Sequence, residues 1–181
     1  MSHLRKGTLF VTWIVVDVEA DGPVPGLYSM TELGAVVVEP EFRSFYGTFQ
    51  PISDKWIPDA LAVSGKTREW CMQSAEPKVT MYTFTDWIRS VSKGQPIFVS
   101  DNNGFDWGYV NYYFHAFTGK NPFGFSSRRI GDLYCGMVGD TRAKWKHLRK
   151  TNHTHNPVDD ARGNAEVLLH MRDEMGLKVR F

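Results

Sequence analysis

An apolar run that closes on acids constrains this chain more than any other feature. Residues 9–19 read LFVTWIVVDVE and are followed almost at once by Asp21-Gly22-Pro23, a turn signal. Such a Val-, Ile-, Phe- and Trp-rich segment with so abrupt a stop predicts a central strand running into a loop. Asp17 and Glu19 are two residues apart on it, so strand alternation places both carboxylates on one face at its C-terminal end.

Composition sets the frame around that strand. A chain of 181 residues, 42% hydrophobic and 23% charged, can bury a core without disulfides or a structural metal, and one domain over residues 1–181 is expected. Cys71 and Cys135 show no metal-binding spacing and are too few for a disulfide framework, so both read as reduced thiols. The longest apolar stretch, residues 9–16, is broken by Thr12 and falls far short of the roughly 20 residues that cross a bilayer. The N-terminus lacks the ordered parts of a secretion signal, which makes the cytoplasm the expected location, with no membrane partner. Because the net charge is only +1, affinity for nucleic acid has to come from local basic groups or bound cations.

Residues 32–38 and 45–49 are two further strand-like runs joined by a short polar segment, which predicts an antiparallel meander. Residues 78–91 carry Phe84, Trp87, Ile88 and Val91 at helical spacing after Pro77, with Gly94 as a stop. Residues 97–100 form a short apolar strand, and the helix after it carries Val110, Tyr113, Phe114 and Phe117 as its stripe, capped by Asn102 or Asn103. Residues 129–132 predict a last short strand leading into a helix. In the final helix Asn156 caps, Pro157 takes the first position, and Asp159 and Asp160 suit the first turn. Its core face is Val158, Ala161, Ala165, Leu168 and Leu169, and Gly176 ends it.

Neighbouring carboxylates repel and raise each other's pKa unless a cation neutralises them, and hard oxygen ligands suit Mg²⁺ or Mn²⁺ rather than zinc. Taken alone, D-x-E is common, and a strand whose acids simply reach solvent is the commoner case. Asp106 and Asp160 each lie in a first helical turn, where the macrodipole favours an acid whatever its task. Gly163, one turn beyond Asp160, either admits another backbone closely or is incidental. His155, in the loop ahead of the last helix, has the chemistry of a general base, while the polar stretch 151–156 equally suits a surface histidine. His153 shares that loop at a different spacing and is not expected to take part.

The order of these groups is more specific than any one of them. VDVEADGP (residues 16–23), NGFDWGYV (103–110) and HNPVDDA (155–161) resemble, in sequence order, the three motifs of the DEDDh, or DnaQ-like, 3′-to-5′ exonucleases. ELGAVVV (32–38) is similar to that family's second strand and AVSGKTREW (62–70) to the stretch after its third. The resemblance spans nearly the whole chain. It implies an RNase H-like α/β fold, with a mixed β-sheet of three antiparallel strands and then parallel strands, flanked by α-helices. It implies a hydrolase acting on 3′ ends of single-stranded RNA or DNA, with Asp17, Glu19, Asp106 and Asp160 holding two divalent cations, Mg²⁺ or Mn²⁺, and His155 as base. Two cations about 3.5–4 Å apart would serve both sides of the reacting phosphorus. Histidine in the third motif implies the DEDDh branch rather than the tyrosine branch. The sequence departs from the common form at Ala20 and Asp21, where two threonines are usual, and an extra acid there would repel phosphate or help to hold metal.

A strand end also has to be gripped. Leu27, Tyr28, Trp107 and Tyr109 are candidates to stack on bases, although an aromatic beside a helix stripe is more often core. Arg142, Lys144, Lys146, Arg149 and Lys150 precede the histidine motif and would steer a phosphate backbone, or form the solvated face of a helix. A homodimer is compatible with this reading. A catalytically weak nucleic-acid-binding module, which the intact acids argue against, and a different metal-dependent phosphoesterase would share the fold.

Overall fold

In a computed structural model describing residues 11–179, five strands form one sheet in the order β3-β2-β1-β4-β5. The expected strand start at Leu9 and Phe10 lies outside the described residues. Strand β1 (Trp13–Ala20) is central because Ile14, Val15 and Val16 are fully buried, so helices must cover it on both faces. It pairs antiparallel with β2 (Met30–Val37), which pairs antiparallel with β3 (Ser44–Thr48). On its other side β1 runs parallel to β4 (Ile97–Ser100), and β4 parallel to β5 (Ser127–Arg129). The meander followed by parallel strands is the expected mixed sheet.

Alternation along β1 sorts the two layers. Ile14, Val16 and Val18 join the cluster containing Phe84 and Ile88 of α3 (Pro77–Val91) and Val110, Tyr113 and Phe114 of α4 (Asn103–Phe117). Trp13 and Val15 join the opposite cluster, with Ala161, Ala165, Leu168 and Met171 of α6 (Pro157–Asp173). By the same period of two, Asp17 and Glu19 belong to the α6 side. Burying side chains such as Leu168 and Met171 contributes roughly 1.5–3 kcal/mol each, enough to seat α6 although its first turn carries acids.

Gly34 fixes how closely α6 sits. It is the cross-strand partner of Asp17, and a Cβ there would run into the Pro157 carbonyl and the Val158 amide, so the first turn of α6 lies directly on β2. Asn156 caps that turn as expected, accepting from Val158 N at 3.0 Å and Asp159 N at 3.3 Å. At α4 the expected cap differs: Asn102 occupies the position without a side-chain bond. Asn103 instead donates to Ser127 Oγ at 2.7 Å and accepts from Ser100 Oγ, joining β4 to β5.

The remaining differences concern short pieces. Helices α1 (Pro58–Val63) and α2 (Arg68–Met72) precede α3, and β5 ends at Arg129, with α5 (Ile130–Val138) starting at once. The basic stretch before α6 is not a helix but a loop containing a single 3-10 turn, Lys146–Leu148. Helix α6 ends at Asp173, before Gly176, where Leu177 N bonds back to Met171 O at 2.9 Å. Among the described residues no helix is long and apolar enough to cross a membrane.

Candidate active site

The close seating of α6 brings Asp160 over the end of β1. Asp17, Glu19 and Asp160 each offer a carboxylate oxygen within 4.8 Å of the others. Burial holds the Asp17 carboxyl well above its usual range, and the charges of Asp106, Asp160 and Glu19 push it further, with Arg149 opposing. Burial, then Glu32 and Asp160, pushes Glu19 up to about 7. Asp106, from the first turn of α4, stands outside the cluster of three. Its Oδ1 accepts the Val18 amide at 3.3 Å, burial pushes its carboxyl up to about 8, and its Oδ2 is buried with no hydrogen-bond partner. Crowded, desolvated carboxylates with an orphan oxygen fit a divalent cation of the hard, oxygen-binding kind.

Asp160 is the most heavily bonded of the four. Arg149 Nη2 donates to its Oδ1 at 2.9 Å, Thr154 N to Oδ1 at 3.2 Å and His155 N to Oδ2 at 3.1 Å. His155 has φ 58°, a left-handed conformation unusual outside glycine, and the chain turns sharply there. His153 also reaches the site: its Nδ1 lies 2.8 Å from Asp160 Oδ2, and the two imidazole centroids are 4.3 Å apart. Spacing along the chain did not indicate this contact.

Several expected substrate contacts are committed elsewhere. Asp21 is fully buried: Oδ1 accepts from Ser29 N at 2.6 Å and Oδ2 pairs with Arg68 Nη1 at 2.5 Å, so its carboxylate is turned into the protein interior. Ala20 is buried at a register shift in β1. Trp107 packs edge-on against Phe98 at 5.0 Å, and Tyr109 is a core residue whose hydroxyl donates to Gly22 O at 2.6 Å. Arg149 is an internal counter-ion with only 7% of its side chain exposed, so it is not a surface ligand for phosphate. Gly163 is not incidental: what it admits closely is that guanidinium, a side chain rather than another backbone. Leu27 and Lys150 are exposed, and Tyr28 is half-buried against Gly22.

Sequence reasoning missed Glu32. It is the cross-strand partner of Glu19 and is buried. Its Oε2 accepts from Tyr46 Oη at 2.5 Å and lies 3.7 Å from Lys66 Nζ, while Oε1 has no partner. A glutamate within an otherwise buried strand was the available signal. Trp56 and Ile57 were also missed: both are exposed, and Ile57 N bonds the Asp21 carbonyl at 2.8 Å, so they flank the acidic strand end. Nothing in the local sequence marks that long-range contact.

A mixed sheet with acids at the end of its central strand, a fourth carboxylate on α4 and a third-motif histidine beside Asp160 defines an RNase H-like exonuclease. The chain is 36% identical over 181 residues to the 3′-5′ DNA exonuclease Cap18 of Escherichia coli, covering 93% of this chain and 95% of that protein. Among solved structures, the nuclease domain of 3′hExo, a DEDDh family member, bound to rAMP, is similar with a TM-score of 0.75 at 15% identity, covering 96% of both chains. Escherichia coli exonuclease I in complex with a dT13 oligonucleotide is similar with a TM-score of 0.70 at 15% identity, and the match spans 90% of this chain but only 41% of that one. No protein-family model matches the sequence. The chain belongs to the DEDDh family of 3′-to-5′ exonucleases, hydrolases of phosphodiester bonds that depend on divalent metal. The homodimer expected as an option finds no support.

Proposed function

We propose that residues 1–181 act as one exonuclease domain that removes nucleotides from the 3′ end of single-stranded DNA. In this reading Asp17, Glu19, Asp106 and Asp160 hold two divalent cations, Mg²⁺ or Mn²⁺, and His155 accepts a proton from the attacking water. The observation that carries it is the gathering of Asp17, Glu19 and Asp160 within 4.8 Å, with Arg149 as the counter-ion bonded to Asp160. When bound, the cations supply charge stabilisation on both sides of the reacting phosphorus. The protein's own part is positioning. The Val18 amide orients Asp106, Arg149 and the His155 amide hold Asp160, and the left-handed turn sets the His155 ring at the edge of the cluster. Leu27 and Tyr28 offer apolar surface to a terminal base, and Lys150 offers charge to the backbone behind it. DNA rather than RNA is proposed from the named activity of the 36% identical relative.

The test is digestion of matched 5′-labelled single-stranded DNA and RNA by wild type and Glu19→Gln, with Mg²⁺, Mn²⁺ or chelator. A ladder shortened from the 3′ end of DNA is expected, in wild type with metal alone. Internal cuts, or equal activity in chelator or in Glu19→Gln, would overturn the reading. Faster digestion of RNA would transfer it to RNA.

A further inference from the structure

The loop ahead of α6 carries a second set of ligand atoms, different in kind from the carboxylate cluster. His153, His155 and Asp160 each offer one, all within 4.8 Å of one another. Ligands on one tetrahedral zinc, at roughly 2.0–2.2 Å from the ion, stand roughly 3.4 Å apart. Both histidines are exposed, so side-chain rotation can supply the contraction and an ion reaches them directly from solvent. Asp160 is buried and held through Oδ1 by Arg149 and Thr154, and Oδ2, which also accepts the His155 amide, is the atom that faces His153. Imidazole nitrogens favour zinc, whereas Mg²⁺ prefers an all-oxygen set.

We propose that His153, His155 and Asp160 form an inhibitory zinc site beside the catalytic carboxylates. The inhibition rests on the reading of His155 and Asp160 given above; the binding does not. Zinc takes the lone pair of a His155 nitrogen, which can then no longer accept a proton, and draws on the Asp160 oxygen that the cation cluster needs. It replaces the hydrogen bond between His153 and Asp160 and releases any proton the imidazoles carry, since only neutral imidazole ligates.

Zinc affinity is measured by competition with a chromophoric chelator for wild type, His153→Asn, His155→Ala and Glu19→Gln, and exonuclease rates in Mg²⁺ are compared with and without zinc within each active protein. His153→Asn lies on an exposed loop and keeps an amide donor near the place of Nδ1, so the fold and the bond to Asp160 survive while the zinc ligand is lost. Zinc affinity is expected to fall by about 100-fold or more in His153→Asn, since losing even an outer partner costs roughly 10–100-fold. It is expected to fall similarly in His155→Ala and to change little in Glu19→Gln, and His153→Asn is expected to resist inhibition. Affinity that falls in Glu19→Gln but not in His153→Asn, or inhibition undiminished in His153→Asn, overturns the site. A wild-type Mg²⁺-supported rate in His155→Ala overturns the base assignment and with it the inhibitory mechanism, and the zinc affinities still decide the binding site.

Discussion

Asp17, Glu19 and Asp21 fall within one stretch of five residues, and only the third is paired with Arg68. Removing one partner of a buried ion pair costs about 3–5 kcal/mol because the other charge is left unpaired. Arg68→Met is therefore expected to lower the unfolding free energy by about 3 kcal/mol in urea melts; a loss below about 1 kcal/mol would mark the pair as no stronger than a surface one. Asp106→Asn is expected to abolish exonuclease activity while the melting temperature in chelator changes little near neutral pH, because a carboxyl pushed up to about 8 is already mostly neutral there; activity retained at saturating Mg²⁺ would remove Asp106 from the ligand set. His155→Ala is expected to lower turnover by roughly 10²–10⁴-fold, the worth of a positioned base. His153→Ala should cost less, about tenfold, in line with one hydrogen bond to a charged group. Equal losses in the two variants would defeat the distinction. The pairing of Asp17 with Glu19 was legible from the period of a strand. The burial of Asp21 was not, since it depends on an arginine brought from α2, nor was the contact of His153, since it depends on how the loop ahead of α6 folds back over Asp160.

Long elements were readable where an apolar period repeated. β1, β4 and helices α3, α4 and α6 fall close to their expected positions, because buried stripes such as Val110, Tyr113 and Phe114 recur over several turns. α1, α2 and β5 are six, five and three residues long, too short for any period to be established, and tertiary contacts fix them instead. Gly34 shows how one residue couples an element to the site. A methyl group there meets backbone of α6, which cannot rotate away, so Gly34→Ala is expected to destabilise the fold by about 1–3 kcal/mol. It should also weaken divalent-cation binding in calorimetry, because Asp160 moves off β1 with the helix. Wild-type stability in that variant would show that α6 shifts freely across β2.

For the whole molecule the crowded carboxylates make stability depend on pH. Glu19 is pushed up to about 7 and Asp106 up to about 8, with Asp17 also raised, whereas their ordinary values are 4.5 for Glu and 3.8 for Asp. Between those limits the folded protein binds protons that the unfolded chain has released, so the stability of the cation-free protein falls as pH rises. Melting temperature in chelator is expected to decline from about pH 4 to about pH 8, and Mg²⁺ or Mn²⁺ should restore it most at the upper end, where the ligands ionise. A flat profile, or equal stabilisation by metal at pH 5 and pH 8, would contradict the crowded site. The arrangement of the acids carries one more consequence. Asp17 and Glu19 come from β1, Asp106 from α4 and Asp160 from α6, and Asp160 meets the first two only when α6 is seated on the sheet. If these acids are the ligands proposed above, a chain in which α6 is not yet docked has most of its acids but no assembled site, and seating that helix works as a safety catch.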